Sequence, residues 1–519
     1  MNGHSLPAEP APRGLRIAAL AAAAALLATS LVSLGRYPIP HCDEVNHLAL
    51  SYNFFREGRF VLHHMGGLGG FHRNFASQGR LYQVMKGAWL EVVGYTLAGG
   101  RFFSVLGCVA AAWLTFLAGR RLYSERAGLL AAVALLASPN VFYASHVGRE
   151  ETWIVAAGVG LIVLYLAFRE RPSPARFALL GLLAALSLDI HPNAVWYALP
   201  LGLILVAENF RDAAGRIRIL AFGGAGVLGA ALVALAHLFP DPAGAVEHLT
   251  FASENNALLA GEITARIAEG ARFFWANAIT DLNGAVIVLT VYAGFGAAWM
   301  LVRRERADRF LLALWGLSLV FFTLLMAHKS PFYGVLWAPL AALAAGTGIG
   351  GAATALNGRT GLRPAALAAL LAAPLVAVGL AAQTWLAIRF HARDFPAYQA
   401  AILEVVPPGA SVVGDVTLWT AFHDRNPFTA DFYLETCRLD ATCSARLAEG
   451  YEAIIAGLNA DYVVEDGSVG CAQQPTAAAE AWADALARTC TPVGRIADRW
   501  FGAYGQNGQG QDTVIYDCR

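Results

Sequence analysis

Apolar residues in this chain run in long blocks, not in the stripes of half-buried elements. Blocks of membrane-spanning length fall near 15–34, 101–119, 127–145, 151–168, 176–190, 193–208, 217–237, 280–302, 310–327, 333–350 and 365–388. About 20 apolar residues in a helix cross a hydrocarbon layer of about 30 Å, so the pattern predicts about eleven transmembrane helices. His191-Pro192 splits the pair at 176–208, which reads as two short spans or one broken element, because proline withholds a backbone donor. The first block follows Arg13 and Arg16 and is long enough to span; cleavage near Gly35 is the competing reading.

Basic residues fall into the loops with a bias. Arg120, Arg121 and Arg126 follow the second block, and Arg169, Arg171 and Arg176 the fourth. Arg211, Arg216 and Arg218 follow the sixth, Arg303, Arg304, Arg306 and Arg309 the eighth, and Arg359 and Arg363 the tenth. With eleven helices these loops share one side, which the positive-inside rule makes cytoplasmic. The opposite, periplasmic side then holds loops 35–100 and 239–280 and a tail from 391 to 519, with residues 1–13 cytoplasmic and 14–390 as the membrane module. The tail mixes signals of both kinds: strands at Ala410–Val416, Asp461–Glu465 and Thr513–Tyr516, helices at Ser444–Leu458 and Ala477–Arg488. That mixture predicts a small periplasmic α/β domain.

Composition agrees: 57% of the residues are hydrophobic and 14% charged, against about 25% charged in soluble proteins. The formal net charge is zero, which offers no basic surplus for nucleic acid. Of seven cysteines, Cys437, Cys443, Cys471, Cys490 and Cys518 lie in the tail. An exported domain keeps disulfides; five is odd, and Cys42, on the same predicted side, is a possible partner from outside the tail.

Candidate chemistry collects on that side. Asp43 and Glu44 follow the first block, where one carboxylate can accept a proton from an acceptor hydroxyl; helix capping is the plainer reading. His41, His47, His63, His64 and His72 share the loop and could join the carboxylates around a divalent metal, or serve as polar loop contacts. Gly66, Gly67, Gly69 and Gly70 suggest a stretch able to adjust around substrate. Arg149, Glu150 and Glu151 stand between two blocks, where acids must face water, a cavity or a partner. Asp189, His191 and Asn193 mark the break in the split pair, where Asp189 suggests a site and helix capping by Asp189 or Asn193 is the equal alternative. His328, Lys329, Ser330 and Tyr333 lie between the ninth and tenth blocks; an outward lysine there suggests a bound anion or a side chain snorkelling to headgroups.

Asp43-Glu44 after the first helix, Gly100-Arg101-Phe102-Phe103-Ser104 at the second, Arg149-Glu150-Glu151, and His328-Lys329-Ser330-Pro331-Phe332-Tyr333 before a late helix together resemble the GT-C superfamily of integral-membrane glycosyltransferases. The narrower resemblance is to the bacterial branch related to protein O-mannosyltransferases and lipid A aminoarabinose transferases, over residues 14–390. It implies a GT-C-like polytopic helical fold that transfers a sugar, with inversion, from a polyprenyl-phosphate donor to a periplasmic or envelope acceptor: glycan, lipid or protein. It implies Asp43 as catalytic base or acceptor-orienting group, with Glu44 and Glu150 as the adjacent and second-loop acids and Glu151 as the alternative to Glu150. It points to Lys329, with His328 and Tyr333, at the donor phosphate, where Arg149 is a further candidate; Asp189 and His191 stay candidates for substrate contact. Two stretches depart from the family pattern: 75–80, where relatives carry a Pro-Pro pair, and 188–192, where they often carry lysine. A transporter or a non-catalytic envelope-assembly protein are the other readings.

Overall fold

The computed structural model describes residues 10–65, 68–255, 263–280, 286–326, 329–431, 434, 441–467, 477–497, 501 and 512–519. Among them seven helices are long and apolar enough to cross a membrane, or eight if one bent pair counts as a span. These are α1 (Arg13–Ser33), α4 (Leu97–Leu122), α7 (Glu151–Glu170), α10 (Ala213–Leu238), α14 (Arg306–Leu325), α15 (Ala338–Thr360, lengthened by the turn before it to Phe332) and α16 (Pro364–Arg389). The bent pair is α5 (Glu125–Ala137) and α6 (Pro139–Ser145), at 64° to each other; Pro139 opens the second piece, where it lacks no needed donor. The expected count of about eleven is reached only by adding α8 (Pro174–Leu188), α9 (Val195–Asn209) and α13 (Ile287–Arg303), of 15, 15 and 17 residues. At about 1.5 Å per residue these are shorter than about 30 Å of hydrocarbon. The split pair is broken as the sequence suggested: α8 ends at Leu188 and a short turn, Pro192–Ala194, precedes α9.

Lipid in place of water explains the exposure. Leu220, Val227, Leu228, Leu232 and Leu235 of α10 face outward, which costs nothing against hydrocarbon. Its inner side packs on α8 through small residues: a Cβ on Gly181 would lie 2.0 Å from the Phe222 carbonyl oxygen, so backbone meets backbone. The central core joins α4, α5, α7, α9, α14 and α15. The arginine-bearing turns gather at one end, where Arg121 pairs with Glu170, Arg169 and Arg306 both reach Glu208, and Arg303 lies over Tyr123.

At the other end two helices fill the first long loop, α2 (Cys42–Glu57) and α3 (Arg80–Val93). The second loop contributes α11 (Pro242–Asn255) and α12 (Ile263–Trp275). Of the glycine stretch, 66 and 67 lie outside the described residues. A side chain at Gly69, with φ of 51°, would meet the Phe251 ring of α11 at 2.7 Å, so close packing is what this glycine serves.

The tail begins with α17 (Phe395–Val405) and builds a five-stranded sheet from β1 (Val412–Gly414), β2 (Phe428–Ala430), β3 (Tyr462–Glu465), β4 (Thr491–Ile496) and β5 (Thr513–Asp517), in the order β2-β1-β3-β5-β4. β1 is parallel to β2 and β3, with Val413 opposite Thr429 and Val463; β5 is antiparallel to β3 and β4. The helix expected at Ser444–Leu458 is two, Ala441–Glu449 and Tyr451–Leu458, parted at Gly450 with φ of 113°. Cys490 and Cys518 form a disulfide and Cys42 is disulfide-bonded; the side chains of Cys437, Cys443 and Cys471 lie outside the described residues. The domain rests on α2: Val416, Trp419 and Ala430 share a core with Cys42, Val45, Ala49 and Leu50, and the Tyr52 hydroxyl donates to Asp424.

Candidate active site

The N-terminus of α2 is where the site begins. His41 caps the helix, its Nδ1 accepting the Asp43 N–H at 3.1 Å, and Glu44 closes a capping box on the His41 N–H at 2.7 Å. Glu44 is also forked by Arg101 of α4 at 2.8 and 3.0 Å and accepts the Gly148 N–H at 3.0 Å. Arg101 and Glu44 are both fully buried, and Arg101 donates to the Leu34 carbonyl as well. One ion pair therefore ties together the end of α1, the start of α2, α4 and the 146–150 turn. Burial pushes the Glu44 carboxyl up, but Arg101 and the N–H donors outweigh it and hold it below its ordinary value.

Capping and pairing leave Asp43 at the mouth, its side chain about a third exposed at 34%. Arg149 Nη1 bonds Asp43 Oδ2. Burial raises the Asp43 carboxyl, yet Arg149, with His41 and His47, brings it below the ordinary value. The same guanidinium reaches Glu151 Oε1 from Nε and Nη2 at 2.9 and 2.8 Å, and lies over the Phe332 ring at 4.7 Å.

Glu150, 1% exposed, is held by two imidazoles: His47 Nε2 at 2.6 Å and His191 Nε2 at 3.4 Å. His191 Nδ1 accepts the Asn193 N–H, and His47 Nδ1 faces the Gln83 amide. Each ring thus sets its second nitrogen beside the carboxylate as a close ionic contact, in which His47 Nε2 and Glu150 Oε2 make no aligned hydrogen bond. Burial lowers His191 to about 4, keeping it neutral, and Glu150 is held well below its ordinary value by its partners. Tyr333 stands beside Arg149 and Asn193.

Lys86 of α3 is the residue the sequence did not single out. It is fully buried, its Nζ donating to the Gly148 carbonyl at 2.7 Å, and burial lowers it to about 7 although Glu44 and Glu150 pull the other way. A lone lysine inside the long outward loop was the one available signal.

The structure thus brings Asp43, Glu44, Arg149, Glu150, Glu151, His191 and Tyr333 together with His47 and Lys86. Asp189 is elsewhere employed. It accepts the first N–H groups of α3, from Arg80 and Leu81, and pairs with His237 at 2.7 Å, so it caps a neighbouring helix. Lys329 is buried and donates to the Met326 carbonyl at 2.7 Å, with Glu269 of α12 at 3.5 Å. His328 lies outside the described residues. Of the loop histidines, His63 pairs with Glu57 at the surface and His64 bonds Asn46. Among the described residues, His41, Cys42 and Asp43 offer ligand atoms within 4.8 Å of one another, a group that could hold a metal ion. The disulfide at Cys42 withdraws the thiolate from that set, which leaves one imidazole and one carboxylate.

A family model described as dolichyl-phosphate-mannose-protein mannosyltransferase matches residues 82–238. The crystal structure of ArnT from Cupriavidus metallidurans bound to undecaprenyl phosphate is similar over 98% of this chain and 99% of that one, with a TM-score of 0.64 and 14% identity. The apo oligosaccharyltransferase of Archaeoglobus fulgidus is similar over 87% of this chain and 69% of that one, with a TM-score of 0.52 and 13% identity. No curated protein matches the sequence. At these identities the likeness is one of fold: an arrangement of membrane-length helices with a C-terminal domain built on a β-sheet.

Proposed function

We propose that this chain is a multi-pass glycosyltransferase of the bacterial inner membrane, taking a sugar from a polyprenyl-phosphate donor and passing it, with inversion, to a periplasmic or envelope acceptor. The observation that carries the reading is Asp43, the half-open carboxylate of a buried ionic cluster at the loop-bearing end of a GT-C-like fold. The solved relative crystallised with undecaprenyl phosphate supports the donor class. In this reading the helices cross eleven times, with α8, α9 and α13 as short or tilted spans, the arginine turns inside and residues 391–519 in the periplasm.

Asp43 takes the acceptor's proton as its hydroxyl attacks the anomeric carbon, and the polyprenyl phosphate leaves with the bonding pair. The buried cation Lys86 lies near Glu44 and Glu150, and charge fixed in a dry site stabilises a departing phosphate. Arg149 couples the two events. While it holds Asp43 it depresses that carboxylate's basicity; drawn toward the phosphate, it releases a stronger base. Glu150, fixed as an anion by His47 and His191, faces the positive charge that grows on the donor sugar. Glu44 holds the frame with Arg101.

The test is incubation of purified protein with labelled polyprenyl-phosphate sugars and membrane acceptors, read by mass spectrometry. A glycosylated acceptor with release of polyprenyl phosphate is expected; donors left intact across the whole panel would overturn the reading.

A further inference from the structure

Helix α3 begins without a cap of its own. Its N-cap residue is Gly79, which offers no side-chain oxygen to the free N–H groups of the first turn. A larger residue has no room there: a Cβ on Gly79 would fall 2.0 Å from the Asp189 carbonyl oxygen and 2.3 Å from that of Ile190. The cap is supplied from across that contact. Asp189, at the end of α8, accepts the Arg80 N–H on Oδ1 at 3.1 Å and the Leu81 N–H on Oδ2 at 3.2 Å. A carboxylate placed there also meets the positive end of the helix dipole.

Asp189 is itself held from a third helix. His237, in the last turn of α10, sets Nε2 2.7 Å from Asp189 Oδ1 and Nδ1 3.1 Å from the Ala76 carbonyl. Arg80 and Asn74 close the join by donating to the His237 carbonyl at 3.2 and 2.9 Å. Space backs this side of the join: a cavity of about 300 Å³ lies against Gly79, Leu188, Pro192 and His237. What α3 carries gives the join its consequence. Within two turns of the cap it presents Tyr82 and Lys86 to the Gly148 carbonyl, at 3.2 and 2.7 Å, and Gln83 to His47. Two residues beyond Asp189, His191 faces Glu150.

We propose that Asp189, steadied by His237, is a positioning residue of the transferase, setting the depth at which α3 carries Lys86 into the ionic cluster. The proposal rests on the transferase reading and deepens it with residues that touch neither substrate nor reacting atoms. Lys86 reports its own position. It is fully buried, with Glu44 of α2 and Glu150 of the 146–150 turn as the charged groups acting on it, and burial lowers it to about 7 from an ordinary 10.5. A displacement of α3 that admits water moves that value back up. Of 37 lysines and arginines only Lys86 and Lys329 are lysine, so lysine labelled with carbon-13 at Cε gives two signals, told apart with K329A.

The experiment titrates those signals in the full chain in nanodiscs, without donor, for the wild type, D189N, H237Q and D212N. Asp212 caps α10 at its opposite, arginine-bearing end through the Gly215 N–H, so D212N removes a cap without touching α3. Lys86 is expected to titrate about one unit higher in D189N, to shift by a smaller step in H237Q, and to keep the wild-type value in D212N. Turnover at pH 6, where the lysine is charged in each protein, is expected to fall about tenfold in D189N and to hold in D212N, so the loss reads placement and not charge. A Lys86 signal unmoved in both D189N and H237Q overturns the proposal, and so does an equal shift in D212N; a wild-type value in H237Q alone removes His237 from it. The titration needs no substrate. An inactive donor panel would therefore remove the transferase reading and leave the α3 result standing, whereas unmoved signals in a protein that transfers sugar would remove the positioning role alone.

Discussion

His47 Nε2 lies 2.6 Å from Glu150 Oε2, with both side chains 1% exposed, and the tautomer of the ring is set by a third residue. Ser51 Oγ donates to Gln83 Oε1 at 3.0 Å, which turns the Gln83 amide nitrogen to His47 Nδ1 at 2.5 Å. The ring nitrogen that accepts there cannot also carry hydrogen, so in the neutral ring the hydrogen sits on Nε2, the nitrogen beside the carboxylate.

Gln83 is therefore expected to matter to rate without touching substrate. In Gln83→Leu the ring is free to move its proton to Nδ1, and the N–H beside Glu150 is lost. Loss of the partner that orients a metal-bound histidine costs about 10–100-fold, and that sets the upper scale for this orienting contact. The expected result is a fall in kcat of that order with donor KM nearly unchanged, and a nitrogen-15 spectrum in which the His47 tautomer is mixed. Wild-type kcat in Q83L would remove Gln83 from the mechanism.

Asp43→Asn keeps the shape of the side chain and its place on α2 but cannot take a proton. Sugar transfer is expected to fall below detection while membrane insertion and thermal unfolding stay normal. The neutral amide also frees Arg149 from an ion pair, so donor binding is expected to hold or strengthen. Near-normal turnover in purified D43N would end the base assignment.

Arg101 and Glu44 make the opposite kind of prediction, one of stability. Removing one partner of a buried pair strands the other charge, at a cost of about 3–5 kcal/mol. Arg101→Met is expected to lower the thermal midpoint sharply and to reduce yield. The double variant Arg101→Met with Glu44→Leu should recover part of the loss, because it leaves no orphan charge there. A single variant as stable as the wild type would show the pair to be dispensable.

What the sequence made legible, and what it hid, divides along physical lines. A span must be apolar along its whole length, so α1, α4, α7, α10, α14, α15 and α16 stood out without any knowledge of partners. The short α8, α9 and α13 did too, as blocks, though length alone does not carry them across. Asp43 was visible because an acid directly after such a block needs a reason. Lys86 was not: α3 is amphipathic, and only the fold reveals that its lysine points inward among acids instead of into water. For Asp189 capping was a legible alternative, but the helix it caps, α3, lies 108 residues away in sequence and only the fold reveals it. In the tail, β1, β3 and β5 carry runs of Val, Ile and Tyr. Three-residue β2 and edge strand β4, with a proline and a register shift at Pro492 and Gly494, present too little alternation to be read.

Two buried lysines, Lys86 and Lys329, are the candidates for the donor-phosphate role, and pH separates them. Lys86 sits at about 7 against an ordinary 10.5, lowered by burial. Below pH 7 it is charged before the donor arrives; above pH 7 binding must first recover a proton. Donor affinity is thus expected to be full below pH 7 and to weaken by about tenfold per unit above it, until the lysine's value in the complex is reached. Stability of the empty protein runs the other way. The unfolded chain holds the lysine's proton up to about 10.4, so the fold gains stability as pH rises from 7 toward that value. Lys86→Met should abolish the pH dependence and weaken donor binding at pH 6 far more than at pH 9. Lys329 is already met by Glu269 and the Met326 carbonyl. Lys329→Ala is expected to reduce donor use at every pH while leaving the slope in place. Donor titration by calorimetry from pH 6 to 9 on the two variants decides between them: a slope that survives in K86M and vanishes in K329A would transfer the phosphate role to Lys329.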